Sequence, residues 1–81
     1  MATPSADQAL LDLEEALQAL TEFDQHKAEL IELQYFAGLT LKELAAARGL
    51  SEATVGRDIR FAKAWLKNWL QANDGPEHDR N

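Results

Sequence analysis

The stretch Leu41-Lys-Glu-Leu-Ala-Ala-Ala-Arg-Gly-Leu-Ser-Glu-Ala-Thr-Val-Gly-Arg-Asp-Ile-Arg60 decides how this chain is read. It has the pattern of a helix-turn-helix. Ala45 is small enough to let a second helix cross close by, and Gly49 falls where the turn needs a positive φ. Ser51 can N-cap the second helix, while Val55 and Ile59 carry an apolar stripe back toward the first. Such a geometry projects the first turns of the second helix outward, where they can enter a DNA major groove.

Working outward, Thr40 with Glu43 three residues on gives a capping-box spacing for a helix over 41–48. The following helix starts after Ser51 and meets no breaker until about Asn73, where Asp74-Gly75-Pro76 stops it. Upstream, Leu10, Leu13, Leu17 and Leu20 recur at helical steps and predict a helix over 6–22. Asp24 can cap a second helix over 25–37 that buries some of Ala28, Leu30, Ile31, Leu33, Tyr35 and Phe36, with Gly38 as a left-handed stop. No strand pattern or internal repeat is present. The fold class is therefore all-α: one small four-helix domain over 7–73, with residues 1–6 and the polar tail 74–81 expected to be disordered.

The chain has 81 residues, no cysteine and a net charge of −6. Without cysteine there is neither a disulfide framework nor a thiolate metal site. No apolar run approaches the roughly 20 residues of a membrane span, and a cytoplasmic location is expected. The acidic total hides a segregation of charge. Residues 1–34 carry Asp7, Asp12, Glu14, Glu15, Glu22, Asp24, Glu29 and Glu32 against Lys27 alone. Residues 35–70 carry Lys42, Arg48, Arg57, Arg60, Lys63 and Lys67 against Glu43, Glu52 and Asp58. The basic part coincides with the helix-turn-helix, as a nucleic-acid face requires.

At ~100° per residue the last helix divides into three strips. Val55, Ile59, Ala62, Leu66, Trp69 and Leu70 form a core stripe, and Arg57, Arg60, Lys63 and Lys67 a basic arc. Thr54, Phe61 and Trp65 form a third strip without an obvious intramolecular need. The candidate DNA-binding set is Thr40, Lys42, Ser51, Thr54, Arg57, Asp58, Arg60 and Lys63. Arginine can address guanine, threonine a thymine methyl and aspartate a cytosine amine. Lys42, Lys63 and the capped helix starts at Thr40 and Ser51 suit phosphates. Asp58 has a second reading, as a surface ion pair with Arg57 or a neighbour. Phe61, Trp65 and Trp69 are core side chains or a partner-binding surface. His26 and His78 stand alone without metal-ligand spacing and read as solvated. There is no phosphate loop and no nucleophile with a base, so neither catalysis nor a cofactor or metal is expected.

The run Leu30-Ile-Glu-Leu-Gln-Tyr-Phe-Ala-Gly-Leu-Thr-Leu-Lys-Glu-Leu-Ala45, then Gly-Leu-Ser-Glu-Ala-Thr-Val-Gly-Arg-Asp58 and Arg-Phe-Ala-Lys-Ala-Trp-Leu66, resembles region four of bacterial RNA polymerase sigma factors, most closely the extracytoplasmic-function group. The resemblance covers about residues 8–70. It implies that Ser51, Thr54, Arg57 and Arg60 face the promoter −35 element, with Lys42 and Lys63 flanking the backbone. It also implies that the apolar surface of the first three helices and the end of the fourth receives the flap tip of the polymerase β subunit, a surface that anti-sigma proteins commonly cover. Three positions depart from the pattern: Gly56 stands where Lys or Arg is usual, Arg48 where an apolar anchor is usual, and Gln34 in place of a common Arg. An 81-residue chain cannot also hold the region that melts the −10 element. It therefore reads either as one domain of a longer sigma factor or as a stand-alone region four.

The expected function is promoter recognition in transcription initiation, with promoter DNA and RNA polymerase as partners. No membrane and no small-molecule substrate are expected. The alternatives are a protein-interaction module that docks on polymerase or an anti-sigma protein without reading DNA, and a small dimeric repressor with Phe61, Trp65 and Trp69 at its seam.

Overall fold

A computed structural model describes residues 6–72, with side chains from Gln8 onward. The expected disorder at residues 1–5 and in the tail, and His78, lie outside the described residues. Four helices follow in order: α1 (Ala6–Phe23), α2 (Gln25–Tyr35), α3 (Leu41–Arg48) and α4 (Glu52–Ala72). No strand occurs among the described residues. The first helix, expected over 6–22, starts at Ala6 and runs one residue further.

Local chemistry sets the boundaries. Asp24 has extended backbone and its carboxylate accepts from the Lys27 amide at 3.2 Å, which caps α2. After Tyr35 the chain unwinds earlier than expected. Gly38 takes φ 78°, and the Leu39 amide reaches back to the Leu33 carbonyl at 3.0 Å. Thr40 and Glu43 form a full capping box: the Glu43 amide donates to Thr40 Oγ1 (3.1 Å) and the Thr40 amide donates to Glu43 Oε1 (2.8 Å). Gly49 closes α3 in the left-handed region at φ 68°.

The buried core draws on every helix: Ala16, Leu17 and Leu20 from α1, Ala28, Leu30 and Ile31 from α2, Leu44 and Ala45 from α3, and Val55, Ile59, Ala62 and Leu66 from α4. Leu20, Leu30, Leu44 and Val55 are its largest fully buried side chains. Of the apolar candidates in the second helix, Tyr35 and Phe36 stay exposed instead (54% and 61%). Trp65, Trp69 and Leu70 are half-buried against the core. Ala45 is buried where α3 meets α4, the close crossing its size allows.

Candidate nucleic-acid interface

The turn between α3 and α4 is built by three residues. The amides of Gly49 and Leu50 both return to the Ala45 carbonyl, the second at 3.0 Å. Ser51 then caps α4: its Oγ accepts from the Thr54 amide and donates to Thr54 Oγ1, each at 3.0 Å. The Ser51 hydroxyl is thus occupied by the fold, while Thr54 keeps a hydroxyl hydrogen to offer outward. Thr40 is likewise held by its capping box.

Beyond these caps the cations divide into two groups. Arg57, Arg60, Lys42 and Lys67 are exposed and make no ion pair among the described residues. Lys63 is also exposed, with its Nζ 5.4 Å from the centre of the Tyr35 ring. The other two cations are neutralised inside the fold. Lys27 pairs with Asp24 at 2.9 Å and lies 3.9 Å from Asp58. Arg48 Nη2 pairs with Glu29 at 2.9 Å across the α2–α3 junction and is half-buried there.

Asp58 does not join the outward set. It turns toward α2, with Oδ2 3.4 Å from His26 Nε2 and Oδ1 near Lys27. His26, read from sequence as solvated, is part of this contact. The helical count could have found it, since Asp58 falls at about 300° from Val55, beside the Phe61 and Trp65 strip and away from Arg57. That strip has an intramolecular partner the sequence reading missed. Phe23, at the end of α1, stacks on Trp65 (centroids 5.4 Å apart) and on Phe61 (6.4 Å), with Lys27 Nζ 5.1 Å from the centre of the Phe61 ring. Phe61 remains 47% exposed and Phe23 59%.

Asp24 and Glu29, the closest carboxylate partners of these cations, titrate low. The Lys27 side chain and amide, donating to Asp24, hold its carboxyl below the usual range. The Arg48 guanidinium, with Gln25, does the same for Glu29. Among the described residues no group of His, Asp and Glu is placed to hold a metal, and no helix is long and apolar enough to cross a membrane.

The surface that results has its free cations on α3 and α4, and its acidic side chains mainly on α1 and α2. A family model described as ECF sigma factor matches residues 2–72. No curated protein and no solved structure gives a significant match.

Proposed function

The chain belongs to the ECF sigma factor family, whose members direct transcription initiation together with RNA polymerase and promoter DNA, and we infer from this that α3 and α4 form a helix-turn-helix that reads the promoter −35 element. The observation that carries the reading is the unpaired state of Arg57 and Arg60 on the exposed side of α4, while Lys27 and Arg48 are paired within the fold. In this reading Arg57 and Thr54 address base edges. Lys42, Lys63 and the capped starts of α3 and α4 at Thr40 and Ser51 hold phosphates, which position the protein without specifying sequence.

The same reading gives a second face of the domain, which Lys63 borders, to proteins. A groove of about 260 Å³ runs between α1, α2 and α4, lined by Leu13, Leu17, Ile31, Tyr35, Phe36, Lys63 and Leu66. Its apolar walls suit the flap tip of the polymerase β subunit, or an anti-sigma protein that competes for it. The exposed Phe61 and half-buried Trp65 and Trp69 supply further apolar contact. The reading places the protein at work in the cytoplasm and assigns it no reaction.

Selection of bound duplexes from a randomised library tests this assignment. Enrichment of a single motif is the expected result. A folded protein that enriches none would move the function to docking on polymerase or an anti-sigma protein without DNA reading.

A further inference from the structure

Gly56 has no side chain, yet it is buried in the interior of α4. A Cβ built there would lie 3.7 Å from Arg60 Nη1 and 3.9 Å from Leu41 Cδ1. Helical side chains lean toward the N-terminus, so Arg60 reaches back one turn and brings Nη1 beside the space a Cβ at Gly56 would fill. No carboxylate pairs with it among the described residues. Leu41 Cδ1 borders the same notch, and Arg60 itself stays exposed.

We propose that Gly56 determines DNA affinity by seating the Arg60 guanidinium on the flank of α4 that borders α3, where it clamps a backbone phosphate. This rests on the DNA reading above. Gly56 lies about 100° around the helix from Arg57. A charge held there stands beside the helix, toward the groove wall, whereas base edges lie beyond the Arg57 face. A free arginine loses rotamer freedom on binding. One already seated loses less, so the notch pre-organises the contact. A larger side chain at position 56 fills the seat and releases Arg60.

The test is a fluorescence-anisotropy titration of promoter and scrambled duplexes over a salt series, with NMR of the free protein for the proximity of the Arg60 side chain to the Gly56 α-protons. Arg60→Ala and Gly56→Leu are expected to weaken both duplexes about equally, by roughly tenfold. Each is also expected to lower the slope of log affinity against log salt by about 1. The double variant is expected to be no worse than either. Gly56→Gln serves as the filler if the leucine variant does not fold. Wild-type binding with position 56 filled, full additivity, or no Arg60–Gly56 proximity overturns the seat. A change of sequence preference in Arg60→Ala overturns the phosphate assignment. If Arg57→Ala abolishes selectivity but filling position 56 does nothing, only this inference fails. If the wild type binds no duplex, the clamp fails together with the DNA reading.

Discussion

Asp24 and Asp58 are both acidic residues beside Lys27, yet they do different work. Asp24 caps α2 and binds Lys27 through both backbone and side chain, and its pKa is lowered as a result. A carboxylate whose folded pKa is lowered contributes stability in full above its unfolded pKa, and loses it as pH falls through the folded value. The protein is therefore expected to lose stability in acid, below the ordinary carboxylate range, with Glu29 contributing in the same direction. Thermal melts of wild type and Asp24→Asn against pH check this: the gap in Tm should be open at neutral pH and close as Asp24 takes up its proton in acid. Loss of the cap itself, in Asp24→Ala, is expected to cost about 1 kcal/mol, whereas asparagine still caps. Asp58, turned toward His26 and Lys27, is expected to leave sequence preference untouched when changed to alanine. The stability cost of that change should be under about 1 kcal/mol, and a selectivity change in duplex titration would return Asp58 to the base-reading set.

At the scale of elements, the helix limits follow from caps that act over three or four residues. For that reason Asp24, Thr40 with Glu43, Gly49 and Ser51 could be read from sequence alone. The contacts that fasten one helix to another could not be read that way. Glu29 and Arg48 are 19 residues apart, and Phe23 meets Phe61 and Trp65 only because α1 and α4 pack together. Sequence offered no reason to pair any of them. The outward direction of Arg57 was legible in the periodicity of α4, whereas the bond from the Ser51 hydroxyl to Thr54 Oγ1 depends on rotamers that the sequence does not fix. Gly56 weakens the interior of α4, and replacement by alanine meets nothing closer than 3.7 Å. Gly56→Ala is expected to stabilise by about 0.5–1 kcal/mol. For a domain of this size that raises Tm by roughly 2–8 °C, readable in a melt followed by circular dichroism.

The whole molecule separates two kinds of surface around one small core. Leu20 is fully buried, and in so small a domain a cavity there is a large share of the total stability. Leu20→Ala is expected to cost about 2–5 kcal/mol, seen as a large fall in the denaturant midpoint. Acidic residues dominate the α1–α2 side and unpaired cations the α3–α4 side, so a net charge of −6 is compatible with DNA binding. The acidic part also repels DNA that is not held in register. Binding should therefore depend strongly on salt and on sequence. The central claim is that Arg57 on α4 reads promoter sequence. Its most direct test is an anisotropy titration of −35 and scrambled duplexes at two salt concentrations, with wild type and Arg57→Ala. The account predicts selective, salt-sensitive binding by the wild type, with about 1–3 kcal/mol of that discrimination lost in the variant. Equal selectivity in the two proteins, or no selectivity in a folded wild type, would contradict it.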